Sequence, residues 1–298
     1  MSGVRLRRSL HFVPGANEKM LNKALGSAAD SLILDLEDAV TPDLKDAART
    51  TICEWLADVD FGRKERIARF NPLDTPWGEA DLERLMVTPP DALLMPKVST
   101  LADIEAVDDK LSKLEAEHGH TPRGVKLMLV ATETPAGVLN LPTFTNCPRV
   151  AMMTWGGEDL SAAIGAPRNR LPSGQYLDVF KFCRIQTLLS AKAGGAEALD
   201  GVFVDIRDLD GLAEEAQHGA WMGFTGKLTI HPDQIPVVNA AFTPTDEELE
   251  EAEALLAEFE AAQAEGKMAF RFRGQMVDAP HLHRAENTVQ RGRLARDA

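Results

Sequence analysis

Residues 31–38, SLILDLED, join an unbroken apolar run to acidic side chains at its carboxyl end. A strand that is buried on both faces of a parallel sheet has this continuous apolar pattern. Comparable runs recur at 10–13, 66–71, 92–98, 126–132, 150–155, 201–206 and 227–230. Amphipathic segments of helical length separate them, and one of these ends at Gly119, which predicts a helix C-cap. Eight such units in about 240 residues predict a (β/α)8 TIM barrel.

An open, doubly wound sheet is the alternative architecture. No G-x-G-x-x-G sequence follows an early strand, which removes one reason to prefer that fold. We therefore assign residues 1–242 to the barrel. Residues 243–298 differ: an acidic helix at 244–264 with Thr245 as its cap, a short hairpin in MAFRFRGQMVD, and a basic final helix. This pattern predicts a C-terminal helical extension.

The composition excludes several classes of protein. A mean hydropathy of -0.18 is typical of a soluble globular protein, and a net charge of -14 disfavours nucleic-acid binding because the surface repels phosphates. We find no signal peptide and no apolar run of about 18 residues that would span a membrane. Three scattered cysteines predict neither a disulfide framework nor a zinc site. We expect a cytoplasmic protein.

Acidic side chains that follow neighbouring strands are the first candidates for a site. Active residues of TIM barrels lie at the carboxyl ends of the strands, and Glu133 and Asp159 follow the fifth and sixth runs. Two carboxylates, completed by waters and substrate oxygens, suit Mg²⁺. The alternative is that both acids cap the helices that follow them.

Two further residues, Arg69 and Asp278, could serve the site or have a purely structural role. Arg69 ends the third run, where its guanidinium would bind a carboxylate or an enolate, or would form a structural ion pair with Glu37 or Asp38. For Asp278, which lies in the extension, the pattern alone indicates only the structural role, that of an N-cap for the last helix.

Eight segments in order resemble the citrate lyase β-subunit-like family of the HpcH/HpaI aldolase superfamily. This family includes malyl-CoA lyase, citramalyl-CoA lyase and the β subunit of citrate lyase. The segments are RRSLHFVPGANEKMLNKAL, LILDLEDAV, RFNPLDTP, MPKV, ETPAG, WGGEDLSAAIG, GKLTIHPDQ and GQMVDAP. Together they are specific for the family and less specific for the substrate. The resemblance implies a (β/α)8 barrel with a C-terminal extension and Mg²⁺ in the site, with Mn²⁺ as a substitute.

The resemblance also implies roles for individual residues. Glu133 of ETPAG and Asp159 of GGEDL match the metal ligands of the family, and Glu133 also lies against the substrate. Arg69 of RFN matches an arginine that contacts the keto-acid and its carboxylate. Asp278 of MVD matches a catalytic acid that, in relatives, comes from a neighbouring subunit. We therefore expect a homo-oligomer, a trimer or a hexamer.

Two residues depart from the pattern of the family. Trp155 is bulky where small and apolar residues are usual, and Thr132 stands where an apolar residue is common. The sequence suggests that both reshape the pocket for the acyl group.

The implied activity is a reversible, Claisen-type carbon–carbon lyase reaction on a 3-hydroxyacyl-CoA such as malyl-CoA or citramalyl-CoA, giving acetyl-CoA and a 2-keto acid. Candidates for binding the coenzyme A phosphates are Arg8, Lys19 and Lys23, whose alternative role is that of solvated surface charges. Three other functions stay open: a citrate lyase β subunit acting on a carrier-protein thioester, a malyl-CoA-type thioesterase, and a non-catalytic scaffold.

Overall fold

Eight parallel strands close into a barrel within the computed structural model, which describes residues 5–15, 17–264 and 269–296. Each strand pairs with the next, and β8 pairs with β1, which confirms the predicted (β/α)8 fold. The strands are β1 (Ser9–Pro14), β2 (Ser31–Asp35), β3 (Glu65–Arg69), β4 (Ala92–Met95), β5 (Lys126–Val130), β6 (Val150–Thr154), β7 (Glu197–Asp200) and β8 (Gly226–Thr229).

Helices follow the strands along the chain, as this fold requires. They are α1 (Glu18–Leu25), α2 (Lys45–Asp58), α3 (Gly78–Leu85), α4 (Leu101–His118), α5 (Pro135–Asn140), α6 (Glu158–Ala163), α7 (Asp178–Ala193), α8 (Leu209–Met222) and α9 (Gln234–Ala241). Two 3-10 helices, Pro42–Leu44 and Leu141–Asn146, precede α2 and follow α5. Among the helices described here, none is long and apolar enough to span a membrane.

The boundaries of α4 show how local sequence fixes an element. Thr100 accepts a hydrogen bond from the N–H of Asp103, whose carboxylate accepts one from the N–H of Thr100, so the two residues form a capping box. The helix ends at Gly119, which has the left-handed φ of 72°. The predicted C-cap is therefore confirmed, and the φ explains why glycine occupies this position.

Apolar side chains fill the barrel interior in layers. One cluster takes inward-facing residues from all eight strands: Leu10, Ile33, Ile67, Ala92, Leu94, Met128, Val130, Met152, Leu199 and Leu228. The neighbours of Ile33 on β2, Leu32 and Leu34, are also completely buried, so both faces of the strand are covered. This double burial is why the strand reads as a continuous apolar run.

The seventh strand lies earlier in the chain than predicted. Residues 201–206 contain apolar and β-branched side chains typical of a strand, but β7 is Glu197–Asp200 and the pairing with β8 ends at Asp200. The Asp200 carboxylate accepts the N–H of Gly201 and fixes the turn at that point. The prediction was wrong because a buried ionic network, invisible in the local pattern, places Asp200 inside the sheet.

A second compact unit contains residues 240–298, and the first contains Arg7–Asn239. The second unit comprises α10 (Asp246–Ala264), an antiparallel hairpin of β9 (Phe270–Phe272) and β10 (Gln275–Val277), and α11 (Ala279–Arg296). Thr245 and Glu248 form a capping box before α10, as the sequence predicts for Thr245. Helices α10 and α11 pack through a small apolar cluster containing Ala252, Ala285 and Val289.

We expect His11 to make the stability of the protein depend on pH below neutrality. Burial on β1, together with the nearby charge of His231, lowers the pKa of His11 from 6.5 to about 4. A hydrogen bond with Thr229 opposes this shift but does not cancel it. The unfolded chain therefore binds the proton more readily. Acidification from pH 6.5 towards 4 should lower the free energy of unfolding by about 1.4 kcal/mol per pH unit.

Urea unfolding at pH 7 and pH 5 measures this effect as a difference between proteins. The variant His11→Asn should lose this part of the pH dependence, because asparagine does not titrate. His118→Asn is the control, since His118 is exposed on α4. An identical pH dependence in the wild type and in His11→Asn would contradict the expectation.

Candidate active site

The carboxyl ends of the strands bring the predicted acids to one end of the barrel. Glu133 follows β5 and is buried, while Asp159 lies in the first turn of α6, after β6. Arg69 is the last residue of β3, and Asp35, directly beside it in the register, is the last residue of β2. Because parallel strands share their polarity, these four side chains converge at the same rim.

Lys97, which follows β4, contacts both predicted metal ligands. Its N–H donates to Glu133 Oε2 at 2.6 Å, and its Nζ lies 3.9 Å from Asp159 Oδ1. The same Nζ pairs with Glu37 and, at 3.1 Å, with Asp38. Sequence reasoning assigned Lys97 no role, although its position directly after an apolar run was an available signal.

The electrostatics of Glu133 fit a bound divalent cation. Burial raises the pKa of Glu133 to about 8, the negative charge of Asp159 adds to this, and the N–H of Lys97 opposes it. A carboxylate whose charge is disfavoured in this way gains most from a cation placed between it and a second acid. Among the described residues, no group of three or more His, Cys, Asp or Glu side chains could hold a metal. Two protein carboxylates plus water and substrate oxygens is the arrangement that Mg²⁺ commonly adopts.

Arg69 is held in a network of acids. Its Nε and Nη2 donate to the two carboxylate oxygens of Asp35, both at 2.7 Å, and its Nη1 lies 2.9 Å from Glu37 Oε2. Burial opposes the charge, but the hydrogen bonds and charges of Asp35 and Glu37 hold the pKa of Arg69 above its usual value. The guanidinium also lies 4.9 Å from the ring centre of Phe12. The ion pair considered as the alternative is therefore present, with Asp35 as its main partner.

Trp155 supports the turn that carries Asp159. It is only 2% exposed, and its Nε1 donates to Asp200 Oδ1 at 2.7 Å. Its ring packs edge-on against Tyr176 and lies beneath the backbone of Gly157 and Gly201. This burial favours a supporting role for Trp155, and its suggested effect on the acyl pocket stays a prediction.

We expect Trp155→Phe to lower stability without changing acyl preference. The lost hydrogen bond to a charged partner should lower the free energy of unfolding by about 1.5–3 kcal/mol. The ratio of kcat/KM for the two substrates that the resemblance implies, malyl-CoA and citramalyl-CoA, should stay constant, which steady-state kinetics measures. Trp221→Phe is the matched control, because Trp221 is 75% exposed. A shifted kcat/KM ratio in Trp155→Phe would return Trp155 to the acyl pocket.

A buried ionic network lies beside Trp155. The Asp200 carboxylate accepts from Arg184 at 2.7 and 3.0 Å and from Lys227 at 3.1 Å. Glu215 accepts from Lys227 at 2.9 Å and pairs with Arg170 at 2.7 Å. Burial alone would raise the pKa of Asp200, but the charges of Lys227 and Arg184 hold it well below its usual range.

The three predicted coenzyme A contacts do not lie together. Lys19 and Lys23 are exposed on α1, the helix that follows the carboxyl end of β1. Arg8 precedes β1 and pairs with Asp30, which precedes β2, at the opposite end of the barrel. The structure therefore does not bring Arg8 to the rim where Glu133 lies, and Arg8 is not retained as a coenzyme A contact.

Asp278 lies in the second unit, immediately before α11. Its Oδ1 is 2.7 Å from Nδ1 of His281, and its backbone C=O accepts the N–H of His281. The capping position predicted from the sequence thus has a histidine partner, which the sequence pattern does not indicate.

A closed (β/α)8 barrel with acids and an arginine at the carboxyl rim defines the class: a TIM-barrel enzyme. The chain matches the family described as HpcH/HpaI aldolase/citrate lyase over residues 8–232, and a carbon–carbon bond lyase of the TIM-barrel fold over 177–295. The chain therefore belongs to the HpcH/HpaI aldolase/citrate lyase family, as the eight motifs predict, and is a carbon–carbon lyase.

Individual relatives agree over almost the whole chain. Mitochondrial citramalyl-CoA lyase of Mus musculus is 38% identical, over 95% of this chain and 85% of that protein. (3S)-malyl-CoA thioesterase of Cereibacter sphaeroides is 37% identical, over 95% of this chain and 93% of that protein. The crystal structure of CitE from Mycobacterium tuberculosis, in complex with magnesium, acetoacetate and coenzyme A, has a TM-score of 0.79 and 36% identity. The match covers 96% of this chain and 98% of the CitE chain.

Proposed function

We propose that the protein is a Mg²⁺-dependent lyase that splits a 3-hydroxyacyl-CoA, such as malyl-CoA or citramalyl-CoA, into acetyl-CoA and a 2-keto acid. The observation that carries the proposal is the convergence of Glu133, Asp159 and Arg69 at the carboxyl rim of a barrel of this family. In the cleavage direction the hydroxyl gives its proton to a base in the solvent, and the bond between the hydroxyl-bearing carbon and the carbon beside the thioester breaks. The electron pair passes into an enolate of the thioester.

Glu133 and Asp159 would hold Mg²⁺, each through its carboxylate. When bound, the ion supplies Lewis-acid stabilisation of negative charge on the oxygens of the substrate. Lys97 fixes one oxygen of Glu133 through its N–H, which leaves the other oxygen for a ligand. The CitE structure that contains magnesium supports the same choice of ion here.

Arg69 would bind the carboxylate of the keto-acid portion. Asp35 grips Nε and Nη2, so the guanidinium keeps its orientation while Nη1 exchanges Glu37 for the substrate. A guanidinium fixed before the substrate arrives lowers the cost of reorganisation during the reaction. Glu37 retains Lys97 as a partner after this exchange.

Asp278 would transfer the proton at the carbon beside the thioester. In cleavage its protonated carboxyl gives a proton to the enolate carbon, which yields the acetyl group; in synthesis the carboxylate takes that proton back. We propose that Asp278 comes from the C-terminal extension of a neighbouring copy in a trimer or hexamer. His281, at 2.7 Å, orients the carboxyl group.

Mixing two inactive variants tests this division between copies. Asp278→Ala and Glu133→Gln should each be inactive alone, and co-refolded mixtures should regain part of the activity, because one kind of interface then combines both intact residues. Sedimentation measures the size of the assembly. A monomer with full activity, or a mixture without recovery, would contradict the shared site.

The remaining proposals concern coenzyme A and the compartment. Lys19 and Lys23 would contact the phosphates of coenzyme A, because both are exposed on the helix that follows β1. We also propose a cytoplasmic protein, since its three cysteines are free thiols, as a reducing compartment maintains them.

A lyase assay on the purified protein with Mg²⁺ tests the central proposal. Malyl-CoA should give acetyl-CoA with glyoxylate, and citramalyl-CoA should give acetyl-CoA with pyruvate. Release of free coenzyme A with the intact hydroxy-acid would instead assign a thioesterase, a function favoured by the Cereibacter relative. If neither substrate gives a product while Mg²⁺ is still bound, the proposal that free coenzyme A esters are the substrates is overturned.

A further inference from the structure

The side chain of Thr132 continues the link between β5 and β6 after their backbones diverge. The strands pair up to Val130 and Thr154, and the last backbone bond runs from the N–H of Ala131 to the C=O of Thr154 at 2.8 Å. Beyond it, Thr132 Oγ1 accepts the N–H of Gly156 at 3.0 Å and donates to the C=O of Gly156 at 3.2 Å. One hydroxyl therefore satisfies both backbone groups of one residue.

The two segments joined by this hydroxyl carry the two proposed metal ligands. Glu133 directly follows Thr132, and Asp159 lies three residues after Gly156 in the first turn of α6. Gly156 also lies against the Glu133 side chain, because a Cβ built on Gly156 would come within 2.7 Å of Glu133 Cγ. Glu133 and the Thr132 hydroxyl thus both contact Gly156.

We infer that Thr132 is a positioning residue that sets the separation of Glu133 and Asp159 and thereby raises the affinity for Mg²⁺. The inference rests on the proposed function, in which these two carboxylates hold the ion. Thr132 is completely buried, and its hydroxyl makes both of these hydrogen bonds with Gly156, so it supports the backbone of the segment that leads to Asp159. An apolar residue of the same size would leave the N–H and C=O of Gly156 without this partner.

Titration of the metal tests the inference without relying on catalysis. The isosteric variant Thr132→Val should raise the dissociation constant for Mg²⁺, measured by calorimetry on the substrate-free protein, by about tenfold or more. Thr132→Ser keeps the hydroxyl and should stay within about threefold of the wild type, since both hydrogen bonds can re-form. Competition by Mn²⁺, followed by its paramagnetic resonance, should give the same order of the three proteins.

Thr187→Val is the matched control. Thr187 is also completely buried, and its hydroxyl donates to the C=O of Cys183 at 2.8 Å within α7. Its dissociation constant for Mg²⁺ should equal that of the wild type. An equal rise in both variants would overturn the inference, because loss of any buried hydroxyl would then have the same effect.

Glu133→Gln separates failure of this inference from failure of the proposed function. If Glu133→Gln loses Mg²⁺ while Thr132→Val binds it like the wild type, Thr132 has no positioning role and the metal site stands. If the wild type binds no Mg²⁺, both the site and the inference fail. Should Thr132→Val not fold, hydrogen exchange of the Gly156 amide in the wild type decides. Slow exchange supports the inference, because the Thr132 hydroxyl then holds this N–H, and fast exchange overturns it.

Discussion

Replacing Glu133 by glutamine should abolish measurable Mg²⁺ binding and lower kcat by more than about a hundredfold. Loss of a residue that only hydrogen-bonds to a metal ligand lowers metal affinity or activity by up to about a hundredfold, and loss of a ligand itself should cost more. Glutamine has the same shape and still accepts the N–H of Lys97, so the variant removes charge and little else. In the metal-free protein the carboxylate is disfavoured by burial and by Asp159. The variant should therefore be at least as stable as the wild type, which thermal unfolding measures.

Glu158→Gln is the matched control for this experiment. Glu158 directly precedes Asp159, but its Oε1 accepts from Asn169 at 2.5 Å, so its carboxylate is engaged with the loop before α7. The control should bind Mg²⁺ like the wild type. Loss of the metal in Glu158→Gln, with binding retained in Glu133→Gln, would show that Glu133 is not a metal ligand and that Glu158 takes its place.

Replacing Asp200 by alanine should lower the free energy of unfolding by about 3–5 kcal/mol, the cost of breaking a buried ion pair on one side. The variant leaves Arg184 and the Nε1 of Trp155 without their carboxylate, and Lys227, which is completely buried, keeps Glu215 as its one acidic partner among residues 5–15, 17–264 and 269–296. Because the pKa of Asp200 is held below its usual range, its contribution is fully present at neutral pH. Urea unfolding at pH 7 measures the loss.

The exposed cap of α8 gives the comparison. The Asp208 side chain accepts the N–H of Gly211 at 2.9 Å at the surface, so Asp208→Ala should cost only about 1 kcal/mol. Equal losses in the two variants would contradict the central place of the Asp200 network. Survival of lyase activity in folded Asp200→Ala protein would also show that this network supports the fold more than the chemistry.

The barrel was predictable because its strands are recorded in local composition. Runs such as 92–98 and 126–132 contain β4 and β5, and each apolar side chain is needed on one face or the other. The seventh strand was misplaced because two of its four residues, Glu197 and Asp200, are acids whose partners come from distant segments. Apolar periodicity carries no information on such pairing.

The positions of the candidate site residues at the rim were predictable, whereas their contacts were less so. The position of Glu133 and Asp159 after neighbouring strands was sufficient to place them at one rim. Arg8 was misjudged because β1 begins only at Ser9, which puts the preceding residue at the other end of the barrel. Lys97 contacts Glu133 through its backbone N–H and Asp159 through its ammonium group. These contacts depend on the backbone conformation of Lys97, which no sequence pattern predicts.

That conformation gives position 97 two opposed demands. Lys97 has a φ of 54°, a region that a side chain disfavours and glycine tolerates. A randomised library at this codon, sorted for folded protein, should be enriched in glycine and asparagine. The same library sorted for turnover should return lysine, because the ammonium group balances Glu37 and Asp38. Disagreement between the two enrichments would reveal a local compromise in which selection for chemistry has outweighed selection for foldability.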